Sequence, residues 1–167
     1  FSRLEQNRRG LSLVVGSLAE AIREATEKLR AHVEREGFRL NLDIEDGLPA
    51  VQFDRDGVTP LVFNLVDNAL KYARSAGTRE IEIGLHHDNG RVGLRVGGHG
   101  PGVPDDQLRR VFEPFSRLGE ELTRTTEGTG IGLALVKELA EGMGAVVRGC
   151  NSIGGGFEVR ISFEATC

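Results

Sequence analysis

Apolar residues recur at three- and four-residue spacing through the segment LAEAIREATEKLRAHVERE, where helix-forming residues are also frequent. Leu18, Ile22, Leu29 and Val33 carry this pattern. The spacing places their side chains along one face of a helix. The sequence therefore predicts an amphipathic helix over residues 18–36.

Two more helices are predicted further along the chain. One covers residues 56–76, and its apolar face toward a sheet consists of four residues, Val62, Leu65, Val66 and Ala69. The other follows the glycines of GTGIGLALVKELAE, residues 128–141. Helix formers such as leucine, alanine, lysine and glutamate dominate the end of that segment.

Alternation of apolar and polar residues is typical of strands that cover a core with one face. Four segments show it, namely 38–44, 80–86, 91–96 and 157–163. Two shorter strands are predicted at 146–149 and at 51–53, the latter as a partner of 38–44. Asp88-Asn89-Gly90 is a strong hairpin-turn signal. Because helices and strands mix without strict βαβ alternation, we expect an α+β protein built as a two-layer sandwich.

Composition narrows the class of protein. The chain has 167 residues, 39% of them hydrophobic and 28% charged, which suits one soluble domain. A net charge of −4 argues against nucleic acid as the partner. The 2 cysteines are too few for a disulfide framework, which favours a reducing compartment. The chain begins with Phe1 rather than methionine, so we expect a fragment of a longer protein.

Glycine is the composition's main anomaly, with 23 residues, many of them after residue 97. The segment RVGGHGPGVP, residues 95–104, follows an alternating run and cannot itself form a packed helix or an ordinary strand. A second segment, Gly128-Thr129-Gly130-Ile131-Gly132, directly precedes a predicted helix. Glycines there let free backbone N–H groups approach an anion. The spacing matches neither a Rossmann fingerprint nor a Walker A loop.

A polar stripe marks the second predicted helix. Asn64, Asn68 and Lys71 project within an arc of about 60°, with Asp67 and Tyr72 on its flanks. Amide oxygens are suitable ligands for Mg²⁺, and a lysine one turn further along can bind phosphate. Taken alone, such a stripe is more often simply a solvated helix face. The stripe and the glycine segments together favour a bound ligand.

The order of five segments along the chain is informative. They are NLVDNALKY (64–72), GHGPGVP (98–104), FEPFSR (112–117), GTGIGLALV (128–136) and GGGF (154–157). They resemble the N, G1, F, G2 and G3 boxes of the ATP-binding catalytic domain of bacterial sensor histidine kinases, whose superfamily includes gyrase, Hsp90 and MutL. The resemblance implies the Bergerat fold, a mixed sheet covered on one face by helices, with a mobile ATP lid at about 104–127. It assigns residues 11–167 to this domain and residues 1–10 to the tail of a dimerisation and phosphoacceptor helix.

The resemblance also implies ATP and Mg²⁺ as cofactors. Asn68 would bind the metal, and Asn64, Asn68 and Lys71 would serve catalysis. The implied nucleotide-binding set is Asn64, Asn68, Lys71, Tyr72, Gly98, Gly100, Gly102, Phe112, Phe115, Arg117, Gly128, Thr129, Gly130, Ile131, Gly132 and Leu133. Phe112 and Phe115 would anchor the lid, although two phenylalanines three residues apart are also typical of a core. Either Arg117 or Arg124 would reach the γ-phosphate.

The implied reaction transfers the γ-phosphoryl group of ATP to a histidine on a dimerisation domain of the same parent chain. None of the histidines at positions 32, 86, 87 and 99 has the sequence setting of that phosphoacceptor. The further implied partner is a response regulator. We expect a cytoplasmic, monomeric fragment, whose parent can be anchored in the inner membrane.

One position departs from the family's pattern. The G1 box normally reads Asp-x-Gly-x-Gly, and its aspartate accepts a hydrogen bond from the adenine amino group. Here that position is Gly98. Losing a hydrogen bond to a charged group should weaken ATP binding about 10- to 100-fold. An engineered substitution, a degenerate non-catalytic nucleotide-binding or protein-interaction module, and a kinase with relaxed base recognition all remain open, as does a serine kinase of the anti-sigma type.

Overall fold

The computed structural model describes residues 10–113, 132–152 and 155–166. The helices are α1 (Leu18–Arg35), α2 (Arg55–Ala73) and α3 (Gly132–Gly142). The strands are β1 (Leu13–Gly16), β2 (Arg39–Ile44), β3 (Val51–Asp54), β4 (Glu80–Asp88), β5 (Arg91–Gly98), β6 (Val146–Asn151) and β7 (Phe157–Glu164). Two 3₁₀ turns follow β5, at Asp105–Gln107 and Arg110–Phe112. None of the described helices is long and apolar enough to cross a membrane.

Five strands form one mixed sheet in the order β2-β4-β5-β7-β6. β2 and β4 are parallel, and the other neighbours are antiparallel. The β4–β5 hairpin turns at Asn89 and Gly90, whose φ angles are 49° and 74°. Two positive φ angles in a two-residue loop match the twist of the flanking strands, so the hairpin prediction is confirmed.

The three helices cover one face of this sheet, and the core lies between the two layers. The alternating residues of the central strands point into it, including Ile81 and Ile83 of β4 and Leu94 of β5. The apolar stripe of α1 and the inner face of α2 are buried opposite them. The predicted α+β two-layer sandwich is therefore confirmed. On the open face, the same strands carry mainly charged and polar side chains.

The short strands pair differently from the prediction. Residues 51–54 do form a strand, β3, but its partner is β1 and not β2. β2 instead joins the main sheet beside β4, because its apolar side chains continue the buried rows of that strand. The segment that follows β7 ties the two sheets together, since the N–H and hydroxyl of Thr166 both donate to the carbonyl of Ala50 at 2.9 Å.

Both long helices begin at a side-chain cap. Ser17 accepts a hydrogen bond from the N–H of Glu20 at 3.3 Å, and Asp54 accepts one from Asp56 at 3.0 Å. Each cap satisfies one of the free N–H groups at a helix start. α2 ends at Ala73, three residues earlier than predicted, where the chain turns toward β4.

Candidate functional site

The polar stripe of α2 lies beside the start of α3. Asn64 donates from Nδ2 to the carbonyl of Pro60 one turn earlier, at 2.7 Å. This bond fixes the amide so that Oδ1 faces Gly132, the first residue of α3. A Cβ at position 132 would lie 3.3 Å from that oxygen. The stripe and the first residue of α3 are thus neighbours in the structure.

Asn68 lies one turn further along the same face and is half-buried. Within the described residues its side chain makes no hydrogen bond. A half-buried amide oxygen without a protein donor can accept a ligand or coordinate a hard cation. The residues present therefore fit a Mg²⁺ ion at this point of the stripe.

Lys71 is not a free cation. Its Nζ lies 3.2 Å from Oδ2 of Asp67, one turn back on α2, and the two side chains are 24% and 37% exposed. An ion pair this exposed contributes at most about 1 kcal/mol. A phosphate group can therefore compete for the lysine at small cost, and the sequence did not predict this pairing.

Tyr72 connects α2 to the strands. Its ring lies 5.3 Å from the ring of Phe157 on β7, centroid to centroid. Its carbonyl oxygen faces Gly100, where a Cβ would lie only 2.8 Å away. Burial raises the pKa of the Tyr72 hydroxyl above its ordinary value.

The Tyr72 hydroxyl should therefore titrate above pH 10, its ordinary midpoint. A raised pKa in the folded state stabilises the fold below pH 10, and this contribution is lost as pH rises through the folded midpoint. Because Tyr72 is the only tyrosine and there is no tryptophan, absorbance near 295 nm reports it alone. The same titration in denaturant serves as the control. Equal midpoints in the two states would contradict the burial effect.

The glycines after β5 are required by packing within the protein. Gly100 and Gly102 have φ angles of +138° and +77°, which side-chain-bearing residues rarely adopt. A Cβ at Gly102 would lie 2.6 Å from Oδ1 of Asn151. A Cβ at Gly156 would collide with the carbonyl oxygen of Gly98. These close contacts are sufficient to require glycine at positions 100 and 102, and the assignment of both residues to the nucleotide stays a prediction.

Gly98 is the last residue of β5 and faces the helix layer. A Cβ there would lie 3.1 Å from both the Cβ of Ala73 and the Cδ1 of Ile81. Both neighbours are fully buried and apolar. The site therefore offers no carboxylate at this position, as expected from the sequence, and a side chain would enter it only with a small shift of its neighbours.

Asn151, at the end of β6, is a site residue that the sequence analysis missed. Its Oδ1 accepts from the N–H of Val103 at 2.9 Å, and its Nδ2 donates to the carbonyl of Val103 at 2.7 Å. The side-chain amide thus makes the same pair of hydrogen bonds with the backbone of Val103 that a neighbouring strand would make. A polar residue near the end of a strand is a weak sign of such a role. The sequence could not identify its partner, because Val103 is 48 residues away along the chain.

Replacing Asn151 with alanine should destabilise the fold by about 1–3 kcal/mol, because the N–H and carbonyl of the buried Val103 lose their partners. Urea unfolding followed by circular dichroism measures the change. Gln52→Ala removes an exposed amide on β3 and is expected to change stability by less than about 0.5 kcal/mol. Equal losses in the two variants would show that Asn151 does not hold this segment.

The remaining predicted site residues divide into three groups. Phe112 is buried against β6, where a Cβ at Gly149 would lie 3.4 Å from its ring, which suits its predicted role as an anchor. The side chain of Leu133 belongs to the core, so it can approach a ligand only through its backbone. The others lie outside the described residues, namely Phe115, Arg117, Arg124, Gly128, Thr129, Gly130 and Ile131, together with most of the predicted lid and residues 1–9.

Residues 53–166 match the family described as histidine kinase-, DNA gyrase B-, and HSP90-like ATPase. Among curated proteins, the adaptive-response sensory kinase SasA of Nostoc sp. is 36% identical over 116 residues, covering 70% of this chain and 28% of its own length. The alginate biosynthesis sensor protein KinB of Pseudomonas aeruginosa is 31% identical over 141 residues, covering 84% of this chain and 23% of its own. The chain thus spans about a quarter of the length of these relatives.

Solved structures share the fold. Full-length ShkA in complex with AMPPNP superposes with a TM-score of 0.76 at 24% identity, covering 99% of this chain and 35% of ShkA. The catalytic domain of the histidine kinase ThkA, in a nucleotide-free form, gives a TM-score of 0.75 at 23% identity and covers 93% of this chain and 97% of its own.

Proposed function

Because the chain belongs to the histidine kinase-, DNA gyrase B- and HSP90-like ATPases, we propose that it takes part in phosphoryl transfer from ATP. It is the ATP-binding catalytic domain of a histidine kinase. In this proposal it transfers the γ-phosphoryl group to a histidine on a separate dimerisation domain. That domain would belong to the same longer parent, and residues 1–10 would be the tail of its second helix. The onward partner is a response regulator. The fragment itself acts as a monomer in the cytoplasm.

One observation carries the proposal: Asn64 and Asn68 lie one turn apart on one face of α2, and the amide of Asn64 faces the first residue of α3. Asn68 would hold Mg²⁺, and the metal would neutralise phosphate charge when bound. Phosphoryl transfer needs mainly positioning and electrostatic stabilisation from the protein. A row of uncharged oxygen ligands supplies coordination without repelling the triphosphate.

The neighbouring residues of α2 would bind the rest of the nucleotide. Lys71 would leave Asp67 to contact a phosphate, and Tyr72 would contact phosphate or ribose from its place against Phe157. A general base near Asn64 or Asp67 would activate the imidazole that accepts the phosphoryl group. Lid residues 104–127 would close over the ATP, anchored by Phe112.

With glycine at position 98, ATP is expected to bind more weakly than it would with aspartate there. The described side chains nearest to it, Ala73 and Ile81, are apolar and cannot replace the missing carboxylate. An adenine amino group at this point would lose a charge-assisted hydrogen bond. The same observation favours a second candidate, a non-catalytic nucleotide-binding or protein-interaction module on this fold.

A labelling experiment separates the candidates. The chain is mixed with γ-labelled Mg-ATP and separately purified dimerisation domains, and the labelled residue is tested for stability in acid. Label that is lost in acid indicates phosphohistidine and supports the proposal, whereas acid-stable label indicates a serine kinase. Mg-ATP binding by calorimetry without any label would support the non-catalytic module. Absence of both binding and label would contradict the proposed nucleotide site.

A further inference from the structure

Three side chains of types that can bind a metal lie close together on the open face of the sheet, away from the helix layer. Glu80 and Glu82 lie two residues apart on β4, so their side chains share one face. His99 directly follows β5, next to Gly98, which pairs with Ile81 of β4. One ligand atom from each of the three residues lies within 4.8 Å of the other two. All three side chains are half-buried.

Within the part of the chain that the structure describes, these carboxylates have no neutralising partner. Among the described residues, no lysine or arginine forms an ion pair with Glu80 or Glu82. Arg39 pairs with Glu80 in the strand register, but it too makes no ion pair with it. Two carboxylates held close together without a cation repel each other, which a bound divalent ion would relieve.

The cluster also has a supporting contact. Asn41 of β2 donates from Nδ2 to Oε1 of Glu82 at 3.0 Å. Such a bond orients a carboxylate and leaves its second oxygen for a metal. Gly97 of β5 pairs with Glu82 of β4. Because Gly97 has no side chain, nothing at this position covers the cluster. A further carboxylate, Glu158 of β7, pairs with Gly97 on its other side. It is engaged by Ser152 and Arg160 and so is not part of the set.

We propose that Glu80, Glu82 and His99 bind one divalent transition-metal ion. One imidazole and two carboxylates are a donor set that Zn²⁺ accepts, with water completing a tetrahedral shell. Ligands at about 2.1 Å in such a shell lie about 3.4 Å apart, so the flexible glutamate side chains need to close by up to about 1.4 Å from the present 4.8 Å. The ion would join the start of β4 to the segment that carries Gly98 and Gly100. It would lie on the opposite face of the sheet from the α2 amides.

The test uses the untagged, nucleotide-free chain with both cysteines replaced by serine, so that no thiol competes for the metal. Titration with Zn²⁺ in a calorimeter should show one ion per chain, and Zn²⁺ should raise the melting temperature. Glu82→Gln and His99→Ala should each lower the affinity by more than tenfold. Asn41→Ala should lower it about tenfold, since it removes only the supporting bond.

His87→Ala is the matched control, because His87 is an exposed histidine at the far end of β4. It should bind Zn²⁺ as the parent chain does. Circular dichroism of each variant confirms that it folds, and the Glu82→Gln change preserves side-chain shape. The proposal is overturned if the chain takes up no stoichiometric Zn²⁺, if Glu82→Gln and His99→Ala bind it unchanged, or if His87→Ala loses as much affinity as they do.

Discussion

Replacing Gly98 with aspartate should tighten Mg-ATP binding about 10- to 100-fold. A carboxylate at the end of β5 would accept a hydrogen bond from the adenine amino group, and a bond to a charged group is worth about 1.5–3 kcal/mol. Isothermal titration of the two proteins with Mg-ATP measures the change directly. The expectation follows from the proposed nucleotide site.

The structure refines this design, because position 98 is crowded. A Cβ there meets the side chains of Ala73 and Ile81 at 3.1 Å. Gly98→Ala introduces the same crowding without a carboxylate and is therefore the matched control. Adding Ala73→Gly to both variants gives the new side chain room, at a helix-propensity cost of about 1 kcal/mol.

The comparison of aspartate with alanine at position 98 isolates the hydrogen bond from the strain. Aspartate should bind Mg-ATP more tightly than alanine whether or not Ala73 is changed. If aspartate and alanine bind equally, position 98 does not contact adenine. If none of the variants binds Mg-ATP while all are folded, the nucleotide site itself is misplaced.

Replacing Asn68 with alanine should reduce phosphoryl transfer about 100-fold or more. The variant removes the amide oxygen proposed to coordinate Mg²⁺, and metal stabilisation of phosphoryl charge is worth several kcal/mol, with about 1.4 kcal/mol per tenfold in rate. The rate of label transfer from γ-labelled ATP to a dimerisation domain is the measurement. Because the side chain is half-buried and makes no hydrogen bond among the described residues, its loss should cost little stability.

Gln52→Ala again provides the control, since it removes an amide from the outer strand β3 and should leave the rate unchanged. Raising the Mg²⁺ concentration should partly restore transfer by Asn68→Ala if the residue binds the metal. A rate within about threefold of the parent chain at every Mg²⁺ concentration would remove Asn68 from the proposed mechanism.

Periodicity predicted most of this fold because the long elements each cover the core with one face. The stripe of α1 and the alternation in β4 and β5 are strong signals over many residues. β1 was missed because it has only four residues and leaves Val14 and Val15 exposed. The pairing of β3 was wrong for a related reason: a four-residue strand carries no information about its partner.

The sequence could predict the part of the candidate site whose residues lie on a single helix. Asn64, Asn68 and Lys71 are separated by single helical turns, so their common face follows from helix geometry alone. The contact of Asn151 with Val103 and the grouping of Glu80 with His99 depend on strand register, which joins residues far apart in the chain. Periodicity within a segment does not contain that information. The ion pair between Lys71 and Asp67 could have been predicted from the sequence, since oppositely charged residues four apart on a helix commonly pair.

The strand order has a consequence for synthesis on the ribosome. β7, made after every other strand of the sheet, inserts between β5 and β6. Until residues 157–164 emerge, β5 has one hydrogen-bonding edge without a partner, and the apolar rows beneath it lack their neighbours. Such an edge readily captures other chains. A nascent chain whose residues 157–164 have not yet emerged should therefore depend more on chaperones than one in which these residues are outside the ribosome.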